Sequence, residues 1–471
     1  MAKKMIQLSD HFNYRRLLRY TLPSILMLIF TSVYSVADGF FVSNFMGKTP
    51  FAAVNFIMPL LILLGSVGFM FGTGGGALIA KTMGVGDMKK ANEMFSLIVY
   101  TAGAFGVILT VFGILFLRPM VSFMGADGEL LENCVVYGRI ILLALPFYIL
   151  QYEFQCLFAV AEKPRLGLYV TIAAGIINMV LDALFVAVFH WGLAGAAAAT
   201  AFSQFTGGMA PILYFGRKND SPLRLGRCRP DRWALAKSCT NGSSELMNNI
   251  SMSLVSMLFN VQLMKYAGEN GIAAYGVLMY VSMIFQAVFI GYSVGTAPIV
   301  SYHYGAQNHD ELKSLRRKSI FLISIFSILM LAAGQMLSYP LSLIFVGYDA
   351  QLMEMTVHAF TIFSFSFLMS GFSILGSSFF TALGDGLTSA LIAFLRTMVF
   401  QCAAVLTLPL IWGLDGIWSA VVLAEVMATV VTALFLIAKQ KKYHILTGIR
   451  NCSTNITGDT HRRTANTISA I

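Results

Sequence analysis

With 471 residues, 57% hydrophobic and only 11% charged, and a mean hydropathy of +0.74, the chain cannot dress a soluble globule, which carries about 25% charged residues. The net charge of +10 would suit nucleic acid in a soluble protein. Here the charge falls in loops between apolar segments, where topology accounts for it, and no nucleic-acid partner is expected. Apolar stretches long enough to span a bilayer as helices recur along the whole length, and the short alternating strands of a membrane barrel are missing from the pattern.

In chain order, twelve spans are expected at roughly 16–42, 52–78, 94–117, 134–158, 166–189, 193–215, 238–263, 273–299, 318–345, 356–381, 388–410 and 416–438. The basic N-terminus leads into the first span without a cleavable signal. One set of loops is basic: Arg15, Arg16 and Arg19, then Lys81, Lys89 and Lys90, then Lys163 and Arg165, then Arg217 to Arg232, Lys313 to Lys318 and Lys439 to Lys442. The alternate loops carry Asp127, Glu129, Glu132, Glu269, Asp349 and Glu354. This alternation predicts an even number of spans, both termini in the cytoplasm, and contact between the basic face and anionic lipid. Four regions follow: a first lobe at 1–216, a basic linker at 217–234, a second lobe at 235–440 and a polar tail at 441–471. The tail triplets at Asn451 and Asn455 read as unglycosylated. Six scattered cysteines form no metal or redox pair.

The chain repeats itself 221 residues on. Gly192-Leu193-Ala194-Gly195 returns as Gly413-Leu414-Asp415-Gly416; Met83-Gly84-Val85-Gly86-Asp87 returns as Tyr304-Gly305-Ala306-Gln307-Asn308; and Gly47 to Ala53 returns as Gly268 to Ala274. One offset serves all three pairs. Six spans separate the copies, so both insert with the same orientation. Two parallel six-helix bundles about an axis along the membrane normal are the construction of a secondary transporter. The glycines Gly72 to Gly76 at the end of span 2 allow close helix approach or a bend.

A charge at membrane depth is costly and faces protein or water. Asp38 lies late in span 1; Asn178 and Asp182 lie four apart on one face of span 5; Thr200 lies early in span 6. Two carboxylates, an amide and a hydroxyl suit Na⁺. Two close acids equally suit proton carriage, and packing hydrogen bonds are the plainer alternative. Glu245 in span 7 either lines a cavity or caps a helix start. Arg396 in span 11 is expected to reach for the surface, Glu425 to pair within its lobe, and Glu153 to pair with Lys163 or Arg165. No P-loop, metal-ligand spacing or soluble ATPase domain is present in the sequence. No enzyme and no cofactor is therefore expected, and the energy must come from an ion gradient or a partner.

The Pro23-containing first span, Asp38, the glycine-rich end of span 2, the paired loops at Gly84 and Gly305, Glu162-Lys163-Pro164-Arg165 and Gly192 to Ala197 together resemble the multidrug and toxic compound extrusion (MATE) family, nearest to its MepA-like bacterial branch, over roughly 14–440. The resemblance implies an all-α membrane protein, twelve helices in two bundles set as a V, in the bacterial cytoplasmic membrane. It implies a monomer that exports bulky, often cationic organic compounds such as drugs and dyes in exchange for H⁺ or Na⁺. The family's first-lobe cation site falls on Asp38, Asn178, Asp182 and Thr200, and a span 7 glutamate falls on Glu245. The span 10 aspartate of some members is missing: Phe363 to Ser370 contains none.

Soft and aromatic side chains suit a promiscuous cavity. Met27, Tyr34, Phe41, Phe154, Phe158, Met257, Tyr275, Met279, Met283 and Phe367 are its candidates beside Glu245. A lipid flippase is the alternative function, and a non-transporting receptor or scaffold a more distant one. In the repeat register the polar groups are unmatched. Asp38 faces Phe259, Asn178 faces Val399, Asp182 faces Ala403, Thr200 faces Val421, Glu245 faces Ser24 and Arg396 faces Gly175. The register predicts an asymmetric machine with its ion site in the first lobe.

Overall fold

The computed structural model describes residues 6–46, 48–347, 349–440 and 442–443, without the side chains of 37, 39–46, 48, 49 and 51. The Phe41 side chain and the tail triplets at Asn451 and Asn455 lie outside the described residues. Among those described, regular structure is entirely helical: α1 (Tyr14–Met46), α2 (Lys48–Val85), α3 (Met88–Phe123), α4 (Gly128–Val160), α5 (Pro164–Asp182), α6 (Gly192–Gly216), α7 (Arg232–Gly305), α8 (His309–Val346), α9 (Ala350–Phe363), α10 (Phe367–Ala382), α11 (Gly386–Phe394), α12 (Gln401–Thr407), α13 (Pro409–Trp412) and α14 (Leu414–Ala438). π turns at Ala183–Val188 and Leu395–Phe400 extend α5 and join α11 to α12.

Among the described residues, ten segments are long and apolar enough to cross a bilayer. The 74-residue α7 counts once among them, but Gly268, at φ 62° and ψ −149°, breaks it into two rods. Counting those rods separately gives eleven, and α6, at 25 residues long enough to span though outside that apolar set, makes the twelve expected. The helices overrun the expected spans at their ends because capped, polar turns continue them past the apolar stretch. α2, for example, runs through Gly72 to Gly76 to Val85. The glycines serve close approach rather than a bend: a Cβ on Gly74 would lie 2.1 Å from the Ser238 carbonyl oxygen.

The repeat is visible in backbone roles. Gly192 and Gly413, 221 residues apart, hold φ of 61° and 58°, a region that favours glycine. Asp87 caps α3 by accepting from Lys90 N at 2.9 Å, and its counterpart Asn308 caps α8 by accepting from Glu311 N at 3.1 Å. The seam between lobes obeys the same symmetry. A Cβ on Gly84 would meet the Tyr302 carbonyl oxygen at 2.0 Å, and one on its counterpart Gly305 would meet the Lys81 oxygen at 2.0 Å. Lys81 and Tyr302 are themselves counterparts, so these contacts exchange under the repeat, as expected of a twofold axis. Gly74 against Gly242 and Gly295 against Thr21 form a second such pair.

These seam contacts cluster toward the end of the bundle that carries the N-terminus. A strap of residues crosses the same end. Leu8 and Phe12 are fully buried there. Leu8 N donates to Glu162 Oε1 at 2.7 Å, between α4 and α5. Phe12 N donates to Glu311 Oε1 at 2.9 Å, His11 Nδ1 lies 2.6 Å from Glu311 Oε2, and the buried Lys318 ammonium donates to the Phe12 carbonyl, all on α8. This short strap ties the first lobe to the second. On the outer surface, Leu115 of α3 and Met336 and Ile344 of α8 are more than two-thirds exposed, as hydrocarbon-facing residues would be.

Candidate cation site and substrate surface

Asp38 comes late in α1, Asn178 and Asp182 close α5, and Thr200 lies early in α6, which the left-handed Gly192 opens. Asp38, Asn178 and Asp182 are buried, with 8%, 1% and 0% of their surface exposed. The Asp38 carboxylate faces those of Asp182 and the hydroxyl of Thr200 at side-chain interaction range. Among the described residues, neither oxygen of Asp182, neither amide atom of Asn178, nor the Thr200 hydroxyl has a hydrogen-bond partner. That pattern has a chemical reason: two ionised carboxylates offer each other only acceptors. A shared proton or a small cation would satisfy them, and burying them bare would cost several kcal/mol each.

Two features of this site were not read from the sequence. Tyr137 of α4 is fully enclosed and lies beside Asp38, Asp182 and Thr200. A phenol counted among the polar groups at membrane depth would have found it. The π turn that begins at Ala183, one residue past Asp182, leaves no mark in the apolar run Ala183 to Val188; such turns recur at functional sites. Beside the acids stands a tyrosine cluster. Tyr34 approaches Gln151, Tyr152 and Asp38; Tyr148 donates to Tyr152 at 2.9 Å; and Phe69 of α2 stacks on Tyr152 with centroids 4.5 Å apart.

The expected cavity residues divide. Tyr34 and Met279 are half-buried and Met257 and Met283 are exposed, but Met27 is buried. Phe154 and Phe158 are corrected to core: fully buried, they pack with Phe95 and Phe215 inside the first lobe. Phe367 is likewise core, edge-on to Phe285 and Phe363. The buried Tyr275 stacks on Phe259 at 5.1 Å, closing the two rods of α7 on each other. Apolar alternation along a helix does not tell a ring that lines a cavity from one that fills a lobe.

The remaining charges also move. Asp231 caps α7 by accepting from Ala234 N at 3.0 Å, so Glu245, well inside the helix, is no cap. Among the described residues Glu153 makes no ion pair: it is fully buried in α4 with neither oxygen partnered. Arg396 does not reach for the surface. Its Nε lies 2.9 and 3.0 Å from the two oxygens of Glu425, and its Nη2 lies 2.8 Å from Oε1. Among the described residues no group of three His, Cys, Asp or Glu could hold a metal ion.

The model of the family described as MatE matches residues 23–184 and 246–405, well over half the chain and once in each lobe. The chain belongs to the MatE family. Among relatives, it is 23% identical over 417 residues to the multidrug export protein MepA of Staphylococcus haemolyticus (strain JCSC1435), with 88% of this chain and 91% of that protein covered. MepA of Staphylococcus aureus (strain MRSA252) is 22% identical over 413 residues, at 88% and 91% coverage. Among solved structures, an outward-facing multidrug resistance MATE family transporter of the MOP superfamily superposes with a TM-score of 0.89 at 20% identity, covering 95% of this chain and all of that one. Within the MatE frame, Asp38, Asn178 and Asp182 fall in the first matched segment and Arg396 in the second. Thr200 and Glu425 lie outside both.

Proposed function

We propose that this MatE protein is a cation-coupled antiporter that exports bulky, often cationic aromatic compounds across the bacterial cytoplasmic membrane by alternating access. The observation that carries this reading is the buried acid pair Asp38 and Asp182, contributed by two helices of one lobe, with both oxygens of Asp182 and one of Asp38 left without a hydrogen-bond partner among the described residues. Such a pair is suited to take up a proton or Na⁺. The ion's presence changes how α1 can sit against α5 and α6. The π turn after Asp182 supplies a soft point at which α5 can yield. The tyrosine cluster beside the pair offers aromatic faces to an organic cation, so ion and substrate meet at neighbouring places in one lobe.

In the cycle we infer, the ion enters from outside, neutralises the pair, and favours release of substrate outward. The ion then leaves to the cytoplasm, and substrate binds again from that side. Coupling requires only that the two ligands prefer different states of one equilibrium. Both termini are taken as cytoplasmic. The joined seam and the strap then lie on the cytoplasmic side, and the described arrangement is the one open outward. A flippase is not favoured, because the one deep arginine, Arg396, is engaged by Glu425 rather than free for a phosphate. Purified protein in liposomes, with Na⁺ and pH gradients imposed separately, tests the reading. Efflux of an aromatic cation driven by one of them is expected, and no response to either overturns it.

A further inference from the structure

The second lobe carries its own charged set. Arg396 stands in the π turn after α11, and its guanidinium forks onto Glu425 of α14, which is 2% exposed. Ser373 of α10 donates to Glu425 Oε2 at 3.0 Å, so both carboxylate oxygens are fully used. The Arg396 side chain itself keeps 12% of its surface. α7 packs against this π turn and brings Glu245, half-buried, within electrostatic reach of Arg396. The Glu245 carboxylate makes no ion pair or hydrogen bond among the described residues, in contrast to Glu425. The two acids and one guanidinium leave a single negative charge uncompensated, and it resides on the acid that is free and accessible.

The first lobe has nothing like it. By the 221-residue register the counterparts of Arg396, Glu425, Glu245 and Ser373 are Gly175, Gln204, Ser24 and Tyr152, none of them charged. Gly175 has no room for a side chain, since a Cβ would meet Phe30 at 2.5 Å. Where the first lobe has a packing glycine, the second has an arginine bound to a carboxylate. An arginine held this firmly cannot leave with a substrate, so its charge is a fixed part of the surface.

We propose that Arg396 sets the charge of the substrate: bound to Glu425, it leaves Glu245 as a site for one positive charge on an organic cation and opposes a second. This inference rests on the antiporter reading and adds a specificity residue to it. Cys156 of α4 approaches Glu245 from the first lobe, with Glu153 on the other side of that thiol. Glu153 is wholly enclosed, on no surface that a substrate reaches, and is left out of the count.

Ethidium and propidium share a ring system and differ by one quaternary ammonium, which makes them a matched monocation and dication. Transport of both is measured in proteoliposomes as the ratio of kcat/KM. The wild type is expected to favour ethidium. Arg396→Gln should shift the ratio about tenfold toward propidium, the change that about 1.4 kcal/mol produces. Glu425→Gln keeps an acceptor for Arg396 but removes a negative charge, and should weaken KM for ethidium about tenfold. Arg396→Gln with Glu425→Gln restores the original count and should restore the original ratio. Glu153→Gln should leave it unchanged. If Arg396→Gln misfolds, the Glu425→Gln result decides, because that variant keeps one oxygen acceptor for Arg396 and gives the Ser373 hydroxyl, which can turn to accept, an amide N–H. An unchanged ratio in folded Arg396→Gln, or an unchanged ethidium KM in Glu425→Gln, overturns the proposal. A wild type that moves neither dye under any gradient overturns the antiporter reading itself, a different result.

Discussion

Removing Glu311 should loosen the strap that ties the lobes together. Its Oε1 accepts from the buried Phe12 N–H at 2.9 Å and its Oε2 lies 2.6 Å from His11 Nδ1. The first is a charge-assisted bond to a buried donor, and losing it costs about 1.5–3 kcal/mol. The second involves a histidine side chain that is 70% exposed, and adds about 0–1 kcal/mol. Glu311→Ala should therefore weaken the strap by about 1.5–4 kcal/mol, while the Asn308 cap of α8 stays in place. At about 1.4 kcal/mol per decade, the population with the strap released should rise by about 10- to 700-fold. Leu8 is a fully buried residue of the strap itself, so Leu8→Cys reports release through alkylation, read residue by residue by mass spectrometry. The rate is compared with Glu311 intact, with Glu311→Ala, and with Glu311→Gln, which keeps an acceptor and should raise it by less than about tenfold. Equal labelling with Glu311 intact and in Glu311→Ala, both proteins folded, would refute the reasoning.

Two further predictions concern packing and pH. Gly84→Ala and Gly305→Ala should each prise the seam apart and abolish transport, because the added Cβ would sit 2.0 Å from a carbonyl oxygen in both cases. Gly86→Ala, at φ 94° with nothing near its Cβ position, should cost only the backbone strain of about 1–2 kcal/mol and retain transport; equal transport by all three variants would contradict the symmetric seam. Asp385 lies at the head of α11. Burial works against its charge, but the Lys439 ammonium and the Tyr443 and Thr388 groups outweigh it and hold the carboxyl down at about 2. A depressed folded value means its contribution is complete above the unfolded value near 4 and is lost as pH falls toward 2. The thermal midpoint in detergent should lose that component between those limits, and Asp385→Asn should remove the dependence; an identical acid profile in the variant would rule it out.

The fold was legible because the repeat is written in residues whose backbone role is singular. Gly192 and Gly413 keep the same left-handed φ, and Asp87 and Asn308 the same cap. The acids were legible because a carboxylate in an apolar span stands out by its cost. Tyr137 was not, since one hydroxyl on a ring looks like packing in any apolar helix. Nor was the pairing of Arg396 with Glu425, which depends on how α11 and α14 meet. Phe154, Phe158 and Phe367 were assigned to a cavity because composition cannot separate an enclosed ring from an exposed one. The break at Gly268 falls between the expected spans 238–263 and 273–299, although the helix resumes at once on both sides.

The central claim is that Asp38 and Asp182 couple the ion to the substrate. The direct measurement compares two modes in proteoliposomes: ethidium efflux driven by an imposed ion gradient, and ethidium exchange at equilibrium without one. In Asp38→Asn and in Asp182→Asn, gradient-driven efflux should fall to the background of empty liposomes while exchange persists, since the substrate surface is intact. Gradient-driven efflux at the wild-type rate in either variant would contradict the account.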